Sequence, residues 1–345
     1  MNILVAGDFR WNGGSSRVIF NYHRSAPRHG CRVMVSSQYG SLDDRIGDYI
    51  PVCDDDSWAD RIIFVFESFQ YLTFEQIRRV KARFQREHVT IIDPDGRYGP
   101  TVRSDSDGNH KDYTRESWRH LYESLSDRIL QPRLSSLPAG ARHFPYFGME
   151  CDIERPQAIS TKKYTIQYVG NNWYRWPVVE DFLSSIRPIR DELGRIALKG
   201  MRWDGEVEKG FEADTFADVG YLRSMGVETS GSVAFGQVIP AMSEALVSPL
   251  FVRPMIAAQK LITPRMLETV CADTIPVFRK AECYIREFYG DDALDLCLGD
   301  DPIQRLRDIL ARPRHYFDLA SAIRQKLRAL TNYDLLTAKL VEHVR

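Results

Sequence analysis

Short apolar runs alternate with segments of helical spacing through the first half of the chain. The apolar runs predict buried strands at Asn2–Ala6, Arg32–Ser36, Arg61–Phe66, Val89–Ile92 and Arg128–Leu130. Apolar residues three and four positions apart predict helices over Arg17–Arg28 and Arg115–Leu125. Another helix should begin after Thr73, because Gln76 completes a capping box with that threonine. Strands and helices in alternation predict a parallel, doubly wound sheet of the α/β class.

The alternation loosens between Leu134 and Lys163, where prolines and a glycine interrupt it, and then restarts. The second half has predicted strands at Tyr164–Gly170, Arg195–Gly200, Val233–Val238 and Leu246–Val252, and predicted helices at Val178–Leu193, Ile303–Leu310, Tyr316–Leu330 and Tyr333–Val344. Residues Gly205–Ser232 are predicted to be loops with one short helix. We therefore expect an N-terminal domain at 1–155, a C-terminal domain at 163–330 and a C-terminal helix at 331–345. Two Rossmann-like domains facing across a cleft are the simplest architecture.

Composition narrows the function classes. At 345 residues the chain is long for one core, and 43% hydrophobic residues are typical of a globular protein. The formal net charge of -1 gives no overall attraction to nucleic acid or anionic membranes. The cysteines form no CxxC pair and the histidines lack ligand spacing, so no metal site is predicted. Without a signal peptide or a long apolar run, we expect a cytoplasmic protein with no integral membrane segment.

The most informative motif is a short helix in the second half. Thr263 is a good N-cap residue, and Pro264 suits the first helical position. Arg265 and Glu268 then share one face of the helix. An arginine in the first turn suits a phosphate, and the glutamate can accept two hydroxyl groups, as a ribose would require. The alternative interpretation is an ordinary surface ion pair, which contributes little.

Two loops follow predicted strands and precede predicted helices. The first contains Gly13 and Gly14, which would let the backbone approach a phosphate or a sugar at the helix N-terminus. The second contains Asn171, Asn172 and Arg175, which offer donors where a pyrophosphate would bind. Both loops have a plain alternative, namely turns that only reverse the chain.

Two further segments carry charge that could be functional. Asp93 and Asp95 follow the strand at Val89–Ile92, and Asp93 is the better candidate for a general base because Asp95-Gly96 is a typical turn pair. The run from Arg78 to Arg86 is a basic helix face that could contact nucleic acid. More often such a run is simply a solvated surface.

Four segments of the second half appear in a recognisable order: YVGNN, RIALKG, FGQVIPAMSE and PRMLETVCADTIPVF. This series resembles the two-domain GT-B glycosyltransferases, especially the DNA β-glucosyltransferases of bacteriophages and the spore-maturation-type enzymes. The resemblance is best from about Tyr164 to Leu310 and is mostly architectural in the first half. It implies a GT-B fold with a nucleotide-sugar site in the C-terminal domain.

The resemblance also implies roles for individual residues. Arg265 would contact phosphate, Glu268 would bind ribose, and Arg175 is a looser match to a second phosphate-binding arginine. The loop that meets the donor phosphate falls on Gly170, Asn171 and Asn172, and the base-contacting loop on Phe235, Gly236, Gln237 and Val238. Asp93 matches the catalytic aspartate by its position in IIDPDG. The acidic residue near the first loop of the phage family has no clear counterpart, because SSR occupies that place.

These observations predict a glycosyltransferase that uses a nucleoside-diphosphate sugar, UDP-linked, and needs no metal or other cofactor. Asp93 would act as the base in a direct, inverting displacement by an acceptor hydroxyl. The balanced charge favours a small molecule or a glycan as the acceptor, since DNA would call for a strongly basic cleft. The alternatives are a DNA-modifying enzyme acting on a hydroxymethylated base, a sugar-nucleotide epimerase and a non-catalytic binding module.

Overall fold

The computed structural model describes residues 1–9, 14–43, 45–67, 72–99, 115–134, 136–150, 156–234, 236–279 and 284–345, except the side chains of 115–118. The chain forms two compact units. Unit 1 comprises Met1–Gly148, Ala258–Pro264 and Leu330–Arg345, and unit 2 comprises Met149–Ala257 and Arg265–Ala329. Two later segments of the sequence, Ala258–Pro264 and Leu330–Arg345, thus belong to unit 1.

Unit 1 is built on a seven-stranded sheet in the order β3-β2-β1-β4-β5-β6-β7, with every pairing parallel. Its strands are β1 (Asn2–Phe9), β2 (Arg32–Leu42), β3 (Val52–Cys53), β4 (Arg61–Val65), β5 (Val89–Ile92), β6 (Ile129–Gln131) and β7 (Ala141–His143), and the helices between them are α1 (Gly14–Ser25), α2 (Phe74–Arg83) and α3 (Arg115–Leu125). The capping box predicted at the start of α2 is present, with Thr73 and Gln76 bonded reciprocally. The alternation predicted for the first half is confirmed.

Strand β2 continues to Leu42, well beyond the predicted end at Ser36. The continuation follows a β-bulge, where the register with β1 shifts between Val5 and Gly7. At the bulge Gly40 has φ +104°, and a Cβ atom there would lie 2.2 Å from the Gly7 carbonyl oxygen. Only glycine fits this close approach of two backbones, which the apolar pattern alone did not indicate.

Unit 2 is built on a five-stranded parallel sheet in the order β10-β9-β8-β11-β12. Its strands are β8 (Tyr164–Val169), β9 (Ile196–Lys199), β10 (Val227–Ser230), β11 (Ala245–Pro249) and β12 (Ile275–Val277), and its helices are α4 (Trp176–Ile186), α5 (Glu212–Thr215), α6 (Val219–Ser224), α7 (Val238–Met242), α8 (Pro254–Ala258), α9 (Pro264–Cys271), α10 (Ile285–Tyr289), α11 (Pro302–Ala311) and α12 (Pro313–Thr331). Both sheets are doubly wound, as predicted.

The predicted strand at Val233–Val238 is wrong. Among its described residues, Val238 begins helix α7 and the others lie outside any strand. Gly236 has φ +77°, which breaks an extended run. The edge strand is instead β10, inside Gly205–Ser232, a region that also contains α5 and α6 where one short helix was expected. Three of the four residues of β10 are exposed, so it lacks the buried pattern that would have marked it.

Two segments from the second half of the sequence pack into unit 1. The amide of Ile262 donates to the Pro132 carbonyl at 2.7 Å, and the amide of Leu134 donates to the Lys260 carbonyl at 3.1 Å. The last helix, α13 (Tyr333–Val344), follows at the C-terminus. Its Tyr333 ring meets the ring of Tyr22 edge to face at 5.4 Å. No helix in the described part of the chain is long and apolar enough to cross a membrane.

Candidate functional site

In each sheet the order of strands reverses once, and ligands of such folds bind beyond the carboxyl ends of the strands at that point. In unit 2 the reversal lies between β8 and β11. The loop that begins at Gly170 follows β8, and the connection that contains α9 follows β11. The topology of unit 2 therefore brings the loop and the helix predicted to bind the donor to one edge of the sheet.

Helix α9 begins at Pro264, as the sequence predicted. Arg265 Nη1 lies 3.1 Å from Glu268 Oε2, and both side chains are about one-fifth exposed. The guanidinium also lies 5.8 Å from the centroid of the Tyr168 ring, near the end of β8. Arg265 Nε is buried and has no hydrogen-bond partner among the described residues. A half-buried ion pair with an unsatisfied donor differs from an ordinary surface pair and is suited to an incoming anion.

The loop predicted to contact the nucleotide base, at 235–238, leads into helix α7, which lies beside Arg265. Val238 and Ile239 pack beside a small apolar cluster that contains Met242 and Val169. The sulfur of Met242 lies 3.6 Å from Arg265 Nη1. Gly236 and Gln237 directly precede α7, whereas Phe235 lies outside the described residues. Contact of these residues with a nucleotide base stays a prediction.

Hydrogen bonds within the loop after β8, and from this loop to other segments of unit 2, fix its conformation. Asn172 is fully buried, and its Nδ2 donates to the carbonyls of Phe216 at 2.7 Å, Thr215 at 3.0 Å and Arg202 at 3.2 Å. Arg175 Nη1 donates to the carbonyls of Asn171 and Trp173 at 3.0 and 3.2 Å. The amide hydrogens of Asn172 are therefore already used inside the protein, whereas its buried Oδ1 has no hydrogen-bond partner among the described residues. Contact of Asn172 with the sugar donor stays a prediction.

The other two predicted residues of this loop hold it against the segment after β9. The amide of Met201 donates to Asn171 Oδ1 at 2.9 Å, and Trp203 Nε1 donates to the Gly170 carbonyl at 2.7 Å. Gly170 also lies beside Gly200, where a Cβ atom would come within 2.3 Å of the Gly170 oxygen. Asn171 remains exposed, so it can meet a ligand without first leaving a buried position.

The loop after β8 and the segment after β9 each contain a residue with a strained backbone. Tyr174 has φ +57° and Arg202 has φ +69°, a left-handed conformation that non-glycine residues seldom adopt. The amide of Tyr174 donates to the Asp214 carbonyl at 2.7 Å, and the rings of Trp173 and Phe211 lie 5.1 Å apart. Such strain concentrates at functional sites. The sequence indicated none of these contacts, because they join residues some 40 positions apart.

Asp93 in unit 1 is not arranged as an accessible base. Its side chain is fully buried. Oδ1 accepts from the Arg97 amide at 3.0 Å and from the Tyr122 hydroxyl at 3.3 Å, and Oδ2 accepts from the Tyr98 amide at 2.9 Å and from Gln131 Nε2 at 2.6 Å. A carboxylate has about four acceptor positions, and all are occupied. In this structure Asp93 fixes the turn after β5, and its predicted role as the base requires that turn to open.

Burial is the largest influence on the titration of Asp93 and raises the pKa of its carboxyl above the usual value. The hydrogen bonds from Tyr98, Gln131 and Arg97 act in the opposite direction and lower the pKa. Asp95 lies in a turn, as predicted, and is also buried.

The reversal of strand order in unit 1 lies between β1 and β4. Two carboxylates that the sequence interpretation missed stand at the ends of these adjacent strands, Asp8 in β1 and Glu67 just after β4. Both are partly exposed. The available signal was that each is the first acidic residue after an apolar run, in NILVAGD and RIIFVFE. Gly14 begins α1 at this edge, and Gly13 lies outside the described residues; their role toward the donor stays a prediction.

No group of three or more His, Cys, Asp or Glu side chains that could hold a metal ion occurs in the ranges that the structure describes. The prediction from the sequence that catalysis needs no metal is not tested by this observation.

No protein-family model matches the chain, and no curated protein matches it. Solved structures do match over its full length. A mutant of the T4 phage β-glucosyltransferase in complex with UDP-glucose has a TM-score of 0.60 at 14% identity, covering 100% of this chain and 99% of that chain. An α-glucosyltransferase with UDP-glucose and DNA containing an abasic site has a TM-score of 0.65 at 9% identity, covering 99% and 98%. An α-glucosyltransferase with UDP and a 13-mer DNA containing a HMU base has a TM-score of 0.62 at 11% identity, covering 100% and 99%.

Identities this low establish similarity of fold rather than of activity. The two doubly wound units match GT-B glycosyltransferase structures along almost their whole length. The fold expected from the resemblance is confirmed.

Proposed function

We propose that this protein is a glycosyltransferase that moves a sugar from a UDP-sugar to a hydroxyl group on a modified base of DNA. The observation that carries the proposal is the Arg265–Glu268 pair at the reversal point of the second sheet. Its residues, spacing and position suit the diphosphate and ribose of a nucleotide sugar. Similarity in fold to proteins solved with UDP-glucose supports this donor class.

Donor binding would use the pair as follows. The diphosphate accepts hydrogen bonds from the Arg265 guanidinium, including one from Nε, which has no partner among the described residues. Glu268 then accepts the two ribose hydroxyls one turn further along α9. Exposed Asn171 contributes a further contact at the carboxyl end of β8. The hydrogen bonds that hold the loop after β8 limit the entropy lost on binding.

The chemical step is a direct displacement. A base removes the proton of the acceptor hydroxyl, the oxygen forms a bond to the anomeric carbon, and the bond from that carbon to the diphosphate oxygen breaks. UDP leaves with the electron pair of that bond. Arg265 stabilises the negative charge that develops on the leaving diphosphate. The anomeric configuration is inverted, because one displacement occurs.

For the base we favour the accessible carboxylates of unit 1. Asp93 is the candidate from the sequence, but every acceptor position of its carboxylate is occupied. Asp8 and Glu67 are partly exposed at the reversal point of the first sheet. A base must reach the proton that it removes, so geometry favours this pair over Asp93.

The sequence favoured a small molecule or glycan as acceptor because the net charge is close to zero. Solved structures of similar fold instead include complexes with DNA, which favours the DNA-modifying alternative. Net charge is a weak guide here, since a local basic surface is sufficient to attract a polyanion. A hydroxymethylated pyrimidine in duplex DNA provides the hydroxyl that the reaction needs.

Calorimetric titration with UDP-glucose tests the donor site in Arg265→Ala and Glu268→Ala. We expect each variant to lose donor affinity by about tenfold or more, because charge-assisted hydrogen bonds are removed. The matched control is Arg195→Ala, which disrupts an exposed pair with Glu228 in the same unit and should bind normally. Unchanged affinity in both α9 variants would overturn the site assignment.

The same preparations separate the remaining alternatives. Incubation with UDP-glucose and hydroxymethylated duplex DNA should give glucosylated DNA and UDP. Conversion of UDP-glucose into another nucleotide sugar without any acceptor would indicate an epimerase, and donor binding without turnover on any acceptor would indicate a binding module.

A further inference from the structure

The outer face of helix α2 concentrates positive charge in a chain whose net charge is -1. The segment from Thr73 to Arg86 contains five basic residues and one acidic residue, Glu75. We define the α2 face by the exposed residues Phe74, Arg78, Arg79 and Lys81.

The basic residues of this segment fall into two groups. Arg83 and Arg86 are engaged: Arg83 Nη2 donates to the Ala59 carbonyl at 2.8 Å, and Arg86 is bonded to Asp127. Arg78, Arg79 and Lys81 form no ion pair within the described part of the chain. Glu75 stands four residues before Arg79 and offsets part of the repulsion among the three exposed cations. The net positive charge that remains on α2 suits an external anion.

Helical geometry aligns these residues. Val80 is fully buried and fixes the inner side of α2. Phe74, Arg78 and Lys81 are spaced i, i+4 and i+7, so they form one stripe on the outer side, about 10 Å long. Phe74, at the start of the stripe, is 87% exposed, so its ring is accessible to a partner.

The position of α2 relates this stripe to the first sheet. The helix follows β4, so its first turn lies toward the carboxyl edge where β4 ends and Glu67 stands. The acidic run Asp54–Asp56 lies at the other end, where Arg83 donates to the Asp56 carbonyl. The exposed ring of Phe74 thus lies with Glu75 at the end of α2 nearest the candidate base Glu67, and the basic residues follow in the second half of the helix.

We propose that the α2 face binds the phosphate backbone of duplex DNA, with Arg78, Arg79 and Lys81 contacting phosphates and Phe74 stacking on an unpaired base. The proposal rests on the proposed function and names the surface that holds its acceptor. The stripe spans about three phosphate steps of one strand. An enzyme that modifies a base must take it out of the duplex, and an exposed ring beside a phosphate contact can cover the bases left unstacked.

The test measures binding of a fluorescent 20-base-pair duplex containing one 5-hydroxymethylcytosine, over a range of salt concentrations. In the triple variant Arg78→Ala, Arg79→Ala, Lys81→Ala we expect the slope of log affinity against log salt to fall by about 2–3. The affinity near 0.1 M salt should drop by roughly tenfold or more. Phe74→Ala should weaken binding without changing the slope, because it removes stacking and no charge.

The matched control removes three arginines of unit 2 that are paired with carboxylates, in Arg195→Ala, Arg307→Ala, Arg314→Ala. It changes the net charge equally and should keep nearly the wild-type slope. UDP-glucose affinity and the thermal midpoint, both expected to be unchanged in the α2 variants, verify that they are folded.

The outcomes are distinct. Wild-type slope and affinity in the triple variant, or an equal loss in the control, would overturn the role of the α2 face while leaving DNA as the acceptor. Unchanged affinity in Phe74→Ala would overturn the stacking role. Wild-type protein that binds UDP-glucose but no duplex at low salt would overturn the DNA acceptor together with this surface.

Discussion

The carboxyl edges of the two sheets differ in how their polar residues are held. In unit 2 the Arg265–Glu268 pair lies on a single helix, half-buried, with a donor that has no partner among the described residues. In unit 1 Asp93 is fully buried and saturated with hydrogen bonds, whereas Asp8 and Glu67 stand partly exposed on adjacent strands. An unsatisfied polar group is prepared for a ligand, and a satisfied one stabilises the fold. This difference is the reason why we propose the Arg265–Glu268 pair for donor binding and a structural role for Asp93.

The largest expected effect is on the transfer rate, and it identifies which carboxylate of unit 1 is the general base. One of the two variants Asp8→Asn and Glu67→Gln removes the general base. The transfer rate of that variant should fall by a factor of about 10²–10⁴, because general base catalysis typically contributes this much. UDP-glucose affinity should not change. Single-turnover transfer to hydroxymethylated DNA measures the rate. A loss of this size in Asp93→Asn alone, with its stability intact, would return the role to Asp93.

The next effect concerns Arg265 in unit 2. Arg265→Ala should lower kcat/KM by roughly 10²–10³, comparable to losing one group that stabilises developing charge. Arg265→Lys should recover only part of the rate, because a point charge cannot replace a planar fork on a diphosphate. Steady-state kinetics with varied UDP-glucose provides the measurement. Full rescue by lysine would mean that charge alone, without the fork geometry, is required.

A smaller effect tests whether the loop after β8 is structural. Asn172→Ala should lower the free energy of unfolding by about 1–3 kcal/mol, because the carbonyls of Arg202, Thr215 and Phe216 lose their donor. Chemical denaturation measures this. Asn171→Ala is the neighbouring control and should cost less, since Asn171 is exposed and loses only the hydrogen bond from the Met201 amide. Unchanged stability in Asn172→Ala would contradict the structural role of its amide group.

The smallest effect is the pH dependence that Asp93 confers. The pKa of Asp93 is higher in the folded protein than in the unfolded chain, where it is about 3.9. The contribution of Asp93 to the free energy of unfolding is therefore fully present below about pH 3.9. It is lost as the pH rises through the pKa of the folded state. Asp93→Asn should cost about 1 kcal/mol, since the lost acceptor is partly offset by relief of charge burial. The deficit of the variant should shrink as pH rises above about 4. Urea unfolding at a series of pH values measures it, and a deficit that grows with pH would contradict the raised pKa.

Local patterns accounted for most of the elements. Strands β1, β2, β4, β5 and β6 follow from apolar runs, and the capping box of α2 follows from the Thr73–Gln76 spacing, because these signals lie within a few residues of each other. The two-residue strand β3 was not predicted, because it is too short to form an apolar run. The same applies to α9, whose start and whose Arg265–Glu268 pair were read from eight residues. The edge strand β10 was missed because an exposed edge carries little apolar pattern.

The candidate site was only partly predictable. Asn172 and Arg175 appeared to be free donors in the sequence, yet the partners of Asn172 lie 30 to 44 positions away. Asp93 appeared to be a base, yet Gln131 and Tyr122 approach it from other segments of the fold. Asp8 and Glu67 became candidates only when the strand order placed the reversal between β1 and β4.

The sequence by itself determined two doubly wound sheets, helix α9 with its arginine and glutamate, and a basic α2, because each depends on contacts within one turn or one strand. The tertiary structure decided which polar groups are satisfied inside the protein and which remain for a ligand. That decision depends on burial and on hydrogen-bond partners from distant segments. A single sequence carries no local signal for either, since both arise only when the strands are placed side by side.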